Sequence, residues 1–364
     1  MTLKEVAFDI SATSDGHAAR GVGFYVNNLV QAFGDRVRVI NVFTSDLSEY
    51  DVVHIPFFNP FIDTFPKNIE NKNYIVTIHD LIPLIYPKHY PPGIRGKLRF
   101  ISQKKKAQNA KAILTDSQAS KKDIIRFLEI DPKKVHVVYL APQTGIAKQD
   151  SKQLAEIVKK YDLPKKYVLY VGDINYNKNI ANLIKACDYA KLPLVIVGKQ
   201  AAEVEDLGQD VRNLRGPMDW LRFLLGKPHP ELAHYKSIYQ AFIKNKNVYR
   251  VGFVPARDFS GIMQLALVYC QPSFYEGFGL PVLEAFQVVL PVVASRTQAL
   301  VEVGSDACLY VNPKDYKAMG EKLKQVVGDT RLSQVLIEKG KQRLKQFSWK
   351  KTAEQTYEVY KLVL

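Results

Sequence analysis

Short apolar runs alternate with amphipathic stretches along almost the whole chain. Runs at 6–10, 37–43, 52–55, 74–78, 112–115 and 135–138 have the length and β-branched content of buried strands. Helix-period segments follow several of them, including 25–33, 94–110 and 121–128. A second series starts after a polar, charged stretch at 143–166, with runs at 167–171, 194–197, 248–251, 267–271, 292–294 and 308–311. Strand and helix in alternation predict a parallel sheet with helices on both faces, and two series predict two such domains. The boundary falls near residue 160, giving domains at 1–160 and 161–349. In doubly wound sheets ligands sit at the carboxyl ends of the strands, so two such domains imply a cleft.

The segment 200–247 is long for a connection between strands, and Trp220, Phe223 and Leu224 within it stand at helical spacing. Packed helical dressing of an enlarged lobe accounts for it better than an exposed patch.

Composition narrows the picture. The 364 residues exceed one ordinary core, and 47% hydrophobic content excludes a disordered chain. No apolar run reaches the length of a membrane span, and MTLKEVAFDI lacks a signal pattern. Cys187, Cys270 and Cys308 are scattered and form neither a disulfide framework nor a metal spacing, which fits a reducing cytoplasm. No HExxH, zinc spacing or Ser-His-Asp set is visible, and neither a metal nor a cofactor is expected.

Charge adds one thing. The net +15 implies an anionic partner. Between residues 88 and 134 thirteen Lys and Arg face four acids. A solvated helical face is the plain account of that run, and a surface toward anionic lipid is the sharper one. Nucleic acid is disfavoured because no stacking aromatics interleave with the basic residues.

Four stretches carry candidate chemistry. In SFYEGFGLPVLEA (273–285) a glycine-rich turn leads from a strand into a helix, with Pro281 suited to the first helical turn. Gly277 and Gly279 let backbone approach a ligand closely, and helix-start N–H groups make an anion site for a diphosphate. Glu276 in the loop and Glu284 on the first turn flank that site. Carboxylates only accept hydrogen bonds, so their partners should be hydroxyls. Hydroxyl groups on both sides of a diphosphate describe a nucleotide sugar. In YVGDINYNKNIANLIKA (170–186) a strand ends at Gly172, Lys178 can reach a phosphate, and Asn179 can cap a helix. In ARGVGFYVNNLVQAF (19–33) Gly21 and Gly23 form a loop before a helix. Val26 stands where a dinucleotide fingerprint needs its third glycine, which disfavours a nicotinamide dehydrogenase. In YIVTIHDLIPLIYP (74–87) His79 and Asp80 fall at a strand's carboxyl end, and His79 can bond a sugar hydroxyl. His54 occupies a similar place with less support.

These motifs, with the terminal FSWKKTAEQTYEVYK, resemble the retaining GT-B glycosyltransferases of family four, and the likeness covers nearly the whole chain. The resemblance implies that Glu276 contacts the donor sugar and Glu284 the ribose. It assigns the diphosphate to the backbone N–H groups of Phe278, Gly279 and Leu280, with Lys178 neutralising it and His79 near donor sugar and acceptor. It implies metal-independent transfer with retention and a terminal helix (350–364) packed back on the N-terminal domain; the acceptor is expected to be a glycan or, from the basic N-terminal half, a lipid-linked sugar met by a cytoplasmic enzyme peripheral to the membrane. Two positions depart from the family pattern: Asp173 stands where an arginine is frequent, and Val289 where a glycine is common. Arg257 or Lys199 could supply the missing cation. A nucleotide-sugar epimerase of the same fold and a non-catalytic nucleotide-sugar binder remain as alternatives.

Overall fold

The computed structural model describes residues 5–13, 21–143, 148–205 and 229–364. Trp220, Phe223 and Leu224 lie outside them. Among the described residues all twelve expected strands form: β1 Val6–Asp9, β2 Arg38–Ile40, β3 Val52–Ile55, β4 Asn73–Thr77, β5 Ala112–Thr115, β6 Val135–Val137, β7 Val168–Val171, β8 Leu194–Val197, β9 Val248–Gly252, β10 Val268–Gln271, β11 Val292–Ser295 and β12 Cys308–Val311. They build two six-stranded sheets in which every pairing is parallel. β1, β3, β5, β8, β10 and β11 are buried at every position. That is the pattern of strands covered on both faces, and it explains why they read as unbroken apolar runs.

The chain divides into two units. The first holds Met1–Pro87, Pro91–Ala141 and Phe347–Leu364; the second holds Lys88–Tyr90 and Pro142–Gln346. The first unit therefore closes at Ala141, not near residue 160. The helix Ser151–Tyr161 belongs to the second unit because it packs on the helix Ala256–Leu265: a Cβ at Gly261 would meet Ile157, Lys160 pairs with Asp258, and Gln149 bonds Ser260. Conversely the last helix, Trp349–Val363, is part of the first unit. Tyr360 is fully buried there and bonds His54 Nδ1 at 2.6 Å, while Thr352 Oγ1 donates to the Tyr139 carbonyl at 2.7 Å.

The strand orders differ. The first sheet runs β2-β1-β3-β4-β5-β6, and the second runs β9-β8-β7-β10-β11-β12. The second is the 3-2-1-4-5-6 order of dinucleotide-binding sheets, and its topological switch lies between β7 and β10. That rule predicts a ligand crevice beyond Val171 and Gln271.

Candidate functional site

At that switch the loops after β7 and β10 meet. Lys178 Nζ lies 2.9 and 2.8 Å from the two carboxylate oxygens of Glu276. The residues are 98 positions apart, and each follows one of the two strands at the switch. Asn177 fastens the loops together: its carbonyl accepts from Phe274 N at 2.7 Å, its amide donates to the Tyr275 carbonyl at 3.2 Å, and Tyr90 Oη donates to its side-chain oxygen at 2.8 Å. The sequence reading expected hydroxyl partners for Glu276. Its partners within the protein are Lys178, Gln271 Nε2 at 2.6 Å and Ser273 Oγ at 2.6 Å. Gln271 is in turn held by Tyr269 Oη, a fully buried phenol. A carboxylate with 8% of its side chain exposed needs such donors, because desolvation without them is costly. Ser273 and Asn177 lie inside the motif stretches without an expected role there, and Gln271, the last residue of β10, could be marked only by its strand-end position.

The turn after Glu276 is built for glycine. Gly279 has φ +112°, and a Cβ there would lie 2.7 Å from Leu300 Cδ2. The helix Leu280–Gln287 starts at once, with Pro281 in its first turn. The first N–H groups of a helix lack intrahelical acceptors and carry the positive end of its dipole. Glu284 is half-buried and sits in the second turn, one residue beyond the first turn expected for it. Gly277 and Phe278 are buried, and Leu280 is half-buried. On the neighbouring β11 side, Ser295 Oγ and Thr297 Oγ1 are buried and make no protein hydrogen bond.

The other wall of the switch begins at Gly172, with φ +137°. A Cβ at Gly198 would meet its carbonyl oxygen at 2.1 Å, so the chain ends of β7 and β8 need this close approach. Asp173 is exposed. Lys199 follows β8, the strand beside β7, and pairs with Glu203 at 3.9 Å. Arg257 follows β9, one strand further out. Of the two cations proposed for the missing arginine, Lys199 thus follows the strand next to β7 and Arg257 the strand beyond it. Asn179 opens the helix Ile180–Ala190 at φ +58°, but its side chain makes no cap bond. Its amide donates to the carbonyls of Pro272 and Pro313 at 2.8 and 2.7 Å, so it ties the loops after β10 and β12. That fully uses its donors and makes it a wall residue.

In the first unit His79 follows β4. Its Nδ1 donates to Asp116 Oδ2 at 2.7 Å and its Nε2 to the Pro56 carbonyl at 3.2 Å. Two acceptors require both nitrogens to carry protons, which is the imidazolium. Burial pushes this imidazole down, yet the Asp116 carboxylate, Asp80 and the Pro56 carbonyl outweigh burial and hold it above 6.5. Asp116 entered the sequence reading only as one acid of the basic run. His54 is the opposite case. It is wholly buried between Tyr360 Oη and Thr77 Oγ1, and burial, with His79 nearby, brings it down to about 3. It is a neutral core residue. Gly21 precedes the helix Val22–Phe33 at φ +58°; Gly23 lies inside that helix and is buried, so it is not part of a loop.

Cys187, Cys270 and Cys308 are free and buried, and burial raises all three thiols. Among the described residues no three His, Cys, Asp or Glu side chains gather as a metal ligand set, and no helix is long and apolar enough to cross a membrane.

Comparison with known proteins shows the family and the fold. Residues 153–343 match the family model for glycosyl transferases group 1, and residues 16–141 match that for Glycosyltransferase Family 4. The O-antigen chain mannosyltransferase B of Escherichia coli is 29% identical over 299 residues, covering 79% of this chain and 70% of that protein. The serotype-specific mannosyltransferase WbdA of Escherichia coli is 25% identical over 323 residues, 86% of this chain but 37% of that longer protein. Among solved structures, sucrose-phosphate synthase from Thermosynechococcus elongatus superposes with TM-score 0.70 at 19% identity, covering 99% of each chain. HepE of Anabaena, solved with UDP and glucose, gives TM-score 0.69 at 14% identity over 99% of this chain and all of that one. At such identities these two share the fold, which is GT-B.

Proposed function

The chain belongs to the group 1 glycosyl transferases, and we propose that it moves a mannosyl residue from a nucleoside-diphosphate sugar to a growing glycan. The observation that carries the reading is the Lys178–Glu276 pair across the β7/β10 switch, beside the start of the helix Leu280–Gln287. The reaction's difficulty is the negative charge that grows on the departing nucleoside diphosphate. A positive helix start and an ammonium group both stabilise it, and one such donor contributes roughly 3–4 kcal/mol. The diphosphate then competes with Glu276 for Lys178. Drawn toward phosphate, Lys178 releases a carboxylate that Gln271 and Ser273 still orient, and that carboxylate accepts from the hexose hydroxyls. Glu284, one turn into the helix, reaches the ribose. Ser295 and Thr297 offer further hydroxyl donors to the phosphates. With no base assigned, the leaving phosphate oxygen takes the acceptor proton, which favours retention and needs no metal. His79 keeps its charge through Asp116 and turns its Nε2 from Pro56 to a sugar hydroxyl.

Mannose as the transferred sugar is supported by the relatives' names, O-antigen mannosyltransferases among them. The test is transfer from GDP-, UDP-, ADP- and dTDP-sugars to mannose-terminated oligosaccharides in the presence of EDTA, with the product anomer read by NMR. The reading expects transfer of mannose with the α-anomeric configuration of the donor kept. Free sugar released without acceptor transfer would favour the epimerase instead, and donor binding with no turnover would favour the binder.

A further inference from the structure

The helix Gly93–Asn109 of the first unit is inside out. Its buried residues are Gly96, Gln103 and Ala107. A Cβ at Gly96 would lie 2.9 Å from Pro92 Cβ and 3.6 Å from Phe61 Cβ, so the helix presses its smallest residue on the body of the unit. Gln103 Oε1 accepts from Thr64 Oγ1 at 2.7 Å. The large aliphatic residues point the other way: Ile94, Leu98 and Ile101 are 75%, 65% and 67% exposed.

At about 100° per residue these three fall within about 60° of one another, opposite the buried stripe. The same geometry places Arg95 and Arg99 along one border and Lys97 and Lys104 along the other, with Lys105 inside the stripe. Arg99 pairs with Asp63 at 3.3 Å and Lys104 with Glu129 at 2.8 Å. The helix contains six Lys and Arg and no acid. A water-facing helix surface would be polar at its crown; this one is apolar at its crown and cationic on its flanks.

We propose that this face docks in the plane of an anionic bilayer, with Ile94, Leu98 and Ile101 entering below the headgroups and the basic flanks binding lipid phosphates. Charge complementarity selects the occupant. A nucleic acid would satisfy the lysines and leave the aliphatic crown in water, whereas a bilayer surface supplies an apolar phase and phosphates at the depth each group needs. The docking stands on the helix alone and does not depend on the donor site. It brings the first unit to the surface where a lipid-linked acceptor would lie.

The test is co-sedimentation of the full chain with phosphatidylcholine vesicles and with vesicles containing about one-third phosphatidylglycerol. The wild type should partition at least about tenfold better onto the anionic vesicles. Leu98→Glu/Ile101→Glu should lose about tenfold or more of that binding. These side chains are exposed, so the variant should keep its melting temperature and its transfer to a soluble acceptor. Lys97→Ala and Lys105→Ala should each weaken binding about fivefold at low salt, an effect that fades at high salt. Leu98→Trp should show a blue-shifted emission on vesicle addition. Equal partition to both vesicle types overturns the proposal. So does undiminished binding of the double variant, an unshifted tryptophan, or a dimer that the double variant dissolves without any vesicle binding. Failure of sugar transfer with vesicle binding intact would reject the transferase reading and leave the docking face standing.

Discussion

Among the described residues each unit holds a largely buried ion pair beyond the carboxyl ends of its parallel strands, and the two pairs are built for different tasks. In the first unit His79 and Asp116 follow β4 and β5, and a second acceptor, the Pro56 carbonyl, holds the other ring nitrogen. In the second unit Lys178 and Glu276 follow β7 and β10, the strands on either side of the switch. His79 is fastened at both ends, and its charge depends on a proton. Lys178 meets the Glu276 carboxylate at the topological switch, where the proposed anion would compete for it. A strand order of 2-1-3-4-5-6 against 3-2-1-4-5-6 thus separates a pair away from the switch from a pair astride it.

The comparison breaks most visibly through Glu276. Glu276→Ala should lower sugar transfer about a hundred- to a thousandfold in a steady-state assay, because it removes the carboxylate proposed to face the sugar and frees Gln271 and Ser273. Loss of stability alone, with turnover per folded molecule unchanged, would count against its role. His79→Ala should lower the first unit's stability in addition to removing the sugar contact proposed for its Nε2. It leaves Asp116, with 6% of its side chain exposed, without its cation, and should cost about 3 kcal/mol in urea unfolding. Gly279→Ala should cost about 2 kcal/mol and weaken nucleotide binding, since it forces both a left-handed backbone and the Leu300 contact.

Acidity sharpens the contrast inside the first unit. The folded pKa of His79 lies above 6.5, so its stabilisation is fully present below pH 6.5 and is lost as pH rises through the folded value. The folded pKa of His54 is about 3, so its contribution is present above pH 6.5 and is lost as pH falls from 6.5 toward 3. Urea melts of wild type and His79→Gln should therefore diverge below neutral pH and converge on the alkaline side. Parallel curves from pH 6 to 9 would deny the imidazolium. The smallest effect is expected at Val289, a β-branched, 46% exposed residue at φ +65°. Val289→Gly should raise stability by about 1 kcal/mol in thermal melts, since a left-handed valine is strained.

Most of the fold was legible in the sequence because strands buried on both faces leave continuous apolar runs, which survive without knowledge of their neighbours. All twelve runs are strands, with ends shifted by a few residues at most. Strand order was not legible, because it depends on pairings between distant segments. The Glu276 loop and the Lys178 loop were recognisable separately, yet their direct pairing was not, since nothing in local sequence shows that residues 98 apart meet. The boundary near residue 160 missed because the helix Ser151–Tyr161 is amphipathic whichever unit it covers, and its packing on Gly261 decides the matter. Glycine at 23 suits a loop by type, while its burial inside the helix Val22–Phe33 shows only in three dimensions.

The account turns on Lys178 leaving Glu276 for a diphosphate, and calorimetric titration of GDP and UDP into wild type, Lys178→Ala and Glu276→Ala measures that directly. The account predicts that one nucleotide binds the wild type, that Lys178→Ala weakens it about tenfold or more, and that Glu276→Ala binds it as tightly or more tightly because the competing carboxylate is gone. Equal affinity in wild type and Lys178→Ala would contradict it.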